Sequence, residues 1–326
     1  MDGFIPLDTG RRRTLKAAIG CVGVGLHTGA RAALTLRPAA PGTGIVFRRT
    51  DLGVEIPARF GQVADTRLCT ALALPDRPEA RIGTVEHVMA ALAGCGVDDA
   101  AVEVDGPEVP ILDGSAAPFV FLIDCAGITG QAGAPEAIEV LRRVRVQEGE
   151  GADAAWAELL PAPANSSRFE ADLTIDFPST AIGRQRLALR LTPRSFREAL
   201  ADARTFTLAE EVARLRAMGL ARGGSLANAV VVDGPLVLNP GGLRRPDEFV
   251  RHKLLDVVGD LALAGAPLRG RFVGHRSGHG LNNRLLRALF ADPANWRGVP
   301  APARAATAAE GAAAARLPAA AYPAVA

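Results

Sequence analysis

Cysteine is scarce in this chain of 326 residues, with only Cys21, Cys69, Cys95 and Cys125, and no two of them form a Cys-x-x-Cys pair. That pattern excludes a disulfide framework and fits reduced thiols in a cytosolic protein. No apolar run is long enough to span a bilayer. The net charge is only +2 and there is a single tyrosine, a balance that speaks against nucleic acid as a partner. Histidine is equally rare, so any imidazole-based site must draw on His27, His87, His252, His275 and His279. Arg11-Arg12-Arg13 before the mildly apolar run 17–26 imitates a signal peptide. Gly20, Gly23 and Gly25 interrupt that run, which reads instead as a strand and turn.

What is present is ample hydrophobic material, 48% of the residues, enough for two domains with their own cores. The pattern gives an α+β reading with a first domain over 1–128, a second over 129–300 and an Ala/Pro-rich tail over 301–326. In the first, Ala32-Ala33-Leu34-Thr35-Leu36 and Gly44-Ile45-Val46-Phe47 read as strands. Thr84 is placed to cap a helix through Glu86, His87 and Leu92 that stops at Gly94. A strand over 100–104 and a helix over 115–125 follow. In the second, strands are expected over 155–159, 169–177 and 185–191, with helices over 210–218, 247–265 and 281–290 and a strand at 271–273. Ala91-Leu92-Ala93-Gly94 and Ala262-Leu263-Ala264-Gly265 each close a helix that leads to a strand, a glycine turn and another helix. This weak repeat points to two similarly folded sheet-and-helix halves packed face to face. Their junction is then the place to look for a ligand.

The segment Arg251-His252-Lys253-Leu254-Leu255-Asp256 is the most informative. His252 and Asp256 stand four apart on one helix face, offering an imidazole and a carboxylate to one ion. Lys253 lies beside them, and Asp260 continues the polar stripe one turn on. Glu86 and His87 lie in the first turn of the earlier helix, where backbone N–H groups favour negative charge. His87 brings the ligand set to two imidazoles and one carboxylate, the count of hydrolytic zinc sites, and leaves Glu86 free as a base. His279, in a glycine-flanked turn, becomes a general acid if a carboxylate such as Asp260 supports its charge. Thr205-Phe206 suits a cleft wall. The stretch 108–115, ending Asp113-Gly114-Ser115, reads as turn and cap chemistry.

Together these residues resemble the UDP-3-O-acyl-N-acetylglucosamine deacetylase family. The resemblance is carried by Gly23-Val24-Gly25-Leu26-His27-Thr28-Gly29, by Thr84-Val85-Glu86-His87, and by the run from Ile111 to Phe119. It continues through Ala203-Arg204-Thr205-Phe206, the run from Asp247 to Lys253, and Ser277-Gly278-His279 with Leu281-Asn282-Asn283 beyond. The order is kept from residue 14 to residue 290. The resemblance implies zinc held by His87, His252 and Asp256, although iron(II) accepts the same ligands. It implies Glu86 as general base, His279 as general acid and Asp260 as the carboxylate behind it. Thr205 is expected near the scissile carbonyl and Lys253 on the substrate side. Asp176, Phe177 and Phe206 are expected at the uridine end, with Arg276 near the diphosphate. Val212, Leu215, Met218 and Leu220 are candidates for the walls of an acyl passage.

Two positions depart from the family pattern. Ala155 stands where lysine is frequent, and Arg276, also where lysine is common, keeps the charge with a different geometry. The implied reaction is hydrolysis of the N-acetyl group of UDP-3-O-acyl-N-acetylglucosamine in lipid A biosynthesis. The implied protein is a cytoplasmic monomer, with or without a peripheral place at the inner membrane. A zinc amidase acting on another acylated sugar, and a non-catalytic sugar-nucleotide binder, remain open on the residues alone.

Overall fold

The computed structural model describes residues 10–301, apart from 152–153, 164–165, 167 and 179. Most of the tail expected over 301–326 therefore lies outside the described residues. Alternating apolar side chains build two five-stranded sheets. In the strand Arg31–Pro38, Ala32, Leu34 and Leu36 share one buried face while their neighbours look outward.

The first sheet is ordered Ile19–Val24, Arg31–Pro38, Ala100–Val104, Ile45–Arg49, Val54–Pro57. The second is ordered Val144–Glu148, Ala155–Leu160, Arg271–His275, Glu170–Phe177, Gly183–Arg190. Numbered by chain order within each sheet, both read 1-2-5-3-4. In both, only the pair formed by strands 5 and 3 is parallel. The two halves are thus one topology used twice, as the repeat suggests.

Helices α1 (Glu86–Cys95) and α2 (Ala117–Ala126) flank the fifth strand of the first sheet. Before α1 the chain makes a small sheet of Val63–Asp65, Ala71–Leu74 and Arg77–Ile82. The corresponding insert of the second half holds α3 (Pro193–Ala199), α4 (Ala209–Ala217) and a sheet of Phe206–Leu208, Val230–Asp233 and Leu236–Val237. Then α5 (Glu248–Ala262) and α6 (His279–Ala291) flank the second fifth strand. α5 lies on Glu170–Phe177 and Gly183–Arg190, and α6 on Val144–Glu148 and Ala155–Leu160. α1 runs against α5, so the halves meet helix to helix. Leu92, Phe119, Phe249, Leu255 and Phe272, all fully buried, belong to one continuous core. Further pairing ties the chain together. Arg12–Leu15 pairs with Ile128–Gln131, and Glu136–Val140 pairs with both Leu268–Arg269 and Trp296–Pro300.

The structure corrects three local expectations. Thr84 does not cap α1. Its backbone sits at a φ of 58°, and its hydroxyl donates to buried Glu108 at 3.0 Å. That carboxylate also collects the Thr28 hydroxyl and the His27 and Thr28 amides, and its demand for donors outweighs the cap. α1 does not stop at Gly94, which packs against the Phe196 ring inside the helix. The stop is Gly96, at a φ of 75°. The last helix begins at His279 itself rather than after a turn containing it.

Candidate active site and metal centre

The long buried stripe of α5 and the first turn of α1 place their ionisable groups in one spot. His87, His252 and Asp256, each at most 3% exposed, offer ligand atoms that lie within 4.8 Å of one another. Asp256 Oδ1 stands 3.3 Å from His252 Nε2 and 3.8 Å from His87 Nε2. His252 Nδ1 lies 3.0 Å from the Ala203 carbonyl, which requires the proton there and leaves Nε2 as a bare lone pair. A carboxylate oxygen and an imidazole lone pair at 3.3 Å repel unless a cation lies between them. Asp256 Oδ1 and His87 Nδ1 are also buried without a hydrogen-bond partner, and each such orphan costs about 1–3 kcal/mol. The donor set of two nitrogens and one oxygen, with its unmet acceptor, fits a divalent transition-metal ion.

The electrostatics agree. Burial pushes the His87 imidazole down to about 3, with His252 adding to the effect. Burial likewise lowers His252. Both rings are therefore neutral, as ligation requires. Asp256 is held below the usual carboxylate range: burial opposes its charge, but the cations around it, Lys253 and His279, outweigh it. The Lys253 ammonium donates to Asp256 Oδ2 at 2.9 Å.

Beside this cluster lie the remaining titratable groups. Burial presses the Glu86 carboxyl up to about 8. A cation at the His87/His252/Asp256 position would lower it again. His279 Nε2 stands 3.8 Å from Glu86 Oε1, and its Nδ1 lies 2.8 Å from Asp260 Oδ2. Burial works against the charge on His279, but Asp260 prevails and raises the imidazole to about 9. A base-competent carboxyl and a charged imidazole thus face the same space.

The other expected residues lie at graded distances. Thr205 directly follows the Ala203-Arg204 segment that orients His252, and its amide donates to the Gly114 carbonyl at 2.8 Å. Among the described residues no hydrogen bond joins its hydroxyl to the cluster. Phe206 stands edge-on to His252 at 6.2 Å and contacts Phe177 at 5.7 Å, forming an aromatic path away from the centre. Asp176 precedes Phe177 on the same strand. Arg276 is exposed just past the strand Arg271–His275. Val212, Leu215 and Leu220 are partly covered, and Met218 is exposed. Asn282, quoted in the sequence only as part of a pattern, donates to Asp260 Oδ2 at 2.8 Å. Arg204 and Glu248 form a buried pair that fixes the segment leading to Thr205. A cavity of about 180 Å³ at the far end of α1 and α5, lined by Met89, Phe169 and Leu261, contains none of these groups. Chemistry rather than volume marks the site.

Residues 12–291 match the family model described as UDP-3-O-acyl N-acetylglycosamine deacetylase. The chain is 49% identical to the UDP-3-O-acyl-N-acetylglucosamine deacetylase of Myxococcus xanthus, over 89% of this chain and 90% of that protein. It is 51% identical to the enzyme of that name from Phenylobacterium zucineum, over 88% of this chain and 95% of the other. With the Haemophilus influenzae enzyme of that name it shares 47% identity, over 88% and 92%. No helix among the described residues is long and apolar enough to cross a membrane. A twice-used fold, a His-His-Asp cluster where its halves meet and these matches along nearly the whole described chain place it in the UDP-3-O-acyl-N-acetylglucosamine deacetylase family.

Proposed function

We propose that this chain hydrolyses the N-acetyl group of UDP-3-O-acyl-N-acetylglucosamine, releasing acetate and a free amine in lipid A biosynthesis. The observation that carries the reading is the convergence of His87, His252 and Asp256 with Glu86 and His279 between α1 and α5. His87, His252 and Asp256 would hold zinc, or iron(II). Such an ion supplies Lewis acidity, making a neighbouring water more acidic and polarising the acyl oxygen.

Glu86 accepts the proton of the attacking water: burial raises its carboxyl, and a cation beside it would favour the ionised form that can take that proton. The Thr205 hydroxyl is assigned to the developing oxyanion. Amines leave poorly as anions, so the nitrogen must be protonated before the C–N bond breaks. His279 gives that proton from Nε2, and Asp260 at Nδ1 fixes the ring and stabilises its charged form. Lys253 neutralises Asp256 and faces the substrate side. Phe177 and Phe206, with Asp176, are assigned to the uridine end and Arg276 to the diphosphate. Val212, Leu215, Met218 and Leu220 are assigned to the acyl chain, where each buried methylene contributes about 0.8 kcal/mol. We assign residues 1–128 and 129–300 to the two domains. We place the enzyme in the cytoplasm as a monomer, with or without peripheral contact to the inner membrane.

The test is acetate release from the UDP-linked substrate by wild type and Glu86→Gln, with elemental analysis of His87→Ala. We expect Glu86→Gln to lose about 10²-fold or more in rate and His87→Ala to lose its metal. Full activity in the first variant, or full metal content in the second, overturns the assignment.

A further inference from the structure

Thr70 lies in the insert of the first half, immediately before the strand Ala71–Leu74. It is 2% exposed, and none of the sequence patterns described above contains it. All three of its polar groups are engaged. Its amide donates to Glu86 Oε2 at 3.0 Å. Its hydroxyl donates to Asp260 Oδ1 at 2.6 Å. Its carbonyl accepts the Val85 amide, at the start of α1, at 3.2 Å. One residue therefore touches the carboxylate assigned as base on α1 and the carboxylate behind the assigned acid on α5. It also braces the first turn that carries the base.

We propose that Thr70 is a positioning residue that sets the distance and orientation between the base Glu86 and the acid His279. The inference rests on the catalytic reading above. A carboxylate behind an imidazole works only if it presents one oxygen in line with Nδ1. Asp260 is a short side chain that can rotate about its terminal bond. The 2.6 Å bond from Thr70 holds Oδ1, and Asn282 at 2.8 Å shares Oδ2 with His279. Asn282 is in turn oriented by the Ser277 hydroxyl, which donates to its Oδ1 at 2.7 Å. Bonds to both oxygens thus hold the carboxylate in one orientation. Partners of this kind are commonly worth about 10–100-fold in activity.

Thr70→Val isolates the effect, because it replaces the hydroxyl with a methyl of the same shape and leaves both backbone bonds in place. The holoenzyme is assayed for kcat, KM, metal content and thermal midpoint. The downfield proton signal of the His279–Asp260 hydrogen bond is followed by NMR and identified by its loss in His279→Gln. We expect kcat to fall about 10–100-fold with KM and metal content unchanged, the downfield signal to move or broaden, and Thr70→Ser to restore both. Wild-type kcat with an unmoved signal in Thr70→Val overturns the proposal. So does a fall in kcat that Thr70→Ser fails to rescue. Glu86→Gln is run alongside: if it keeps full activity the catalytic reading itself fails, whereas an inactive Glu86→Gln beside a fully active Thr70→Val overturns only the role of Thr70.

Discussion

Gly259 on α5 lies directly against the backbone of Glu86 on α1: a Cβ at position 259 would stand 2.0 Å from the Glu86 carbonyl oxygen and 2.8 Å from its carbonyl carbon. The two helices cross at a point where only a hydrogen fits. The same crossing brings Glu86 and His87 up to His252, Asp256 and Asp260.

Gly259→Ala is therefore expected to force α1 away from α5. Backbone atoms cannot swing aside as side chains do, so the cost falls at or above the upper end of the roughly 1–3 kcal/mol typical of an overpacked core. Activity and metal affinity should fall together, because one ligand moves relative to the other two. Thermal unfolding, acetate release and metal titration of the variant check this. Unchanged values in all three would show that the crossing tolerates separation.

Removing the metal is expected to lower the thermal midpoint without dissolving the fold. The ligand groups sit on two helices already anchored in one apolar core. An ion in excess over its dissociation constant by about 10³ stabilises by about 4 kcal/mol, or roughly 5–10 °C for a chain of this size. Scanning calorimetry before and after chelation, with far-UV circular dichroism at 20 °C, provides the check. A midpoint unmoved by quantitative metal loss contradicts the expectation.

The buried pair of Arg204 and Glu248 gives a pH dependence of known sign. Burial opposes the charge on Glu248, but hydrogen bonds from the Arg204 side chain and from the Arg204 and Arg244 amides outweigh it and hold the carboxyl below its ordinary value. A lowered folded value means that the pair stabilises fully above the unfolded value of about 4.3. That stabilisation is lost as pH falls through the folded value. Glu248→Ala should cost about 3–5 kcal/mol at pH 7 because it strands the guanidinium. The gap in thermal midpoint between wild type and variant should narrow toward pH 3. A gap independent of pH would assign the loss to packing.

The helices that carry the site were legible because their signals are local. His252, Asp256 and Asp260 fall on one face by spacing alone, and the structure keeps all three buried on that face. The duplication was legible in the order of its elements but not in the tetrapeptide that suggested it. Ala91-Leu92-Ala93-Gly94 lies inside α1, whereas Ala262-Leu263-Ala264-Gly265 runs off the end of α5, so the two are not equivalent in register. The small insert sheet, the edge strand Val54–Pro57 and α3 gave no clear periodic signal in segments of three to seven residues. Thr70 was invisible for another reason. A threonine between a cysteine and an alanine has no local signature, and its partners lie 16 and 190 residues away.

The cluster draws one imidazole from the first half of the duplicated fold and an imidazole and a carboxylate from the second. A cation seated there would act as a rivet through the seam. Its affinity and the cohesion of the halves would then be linked quantities, each strengthening the other by the same free energy. Either half produced alone would present an incomplete ligand set.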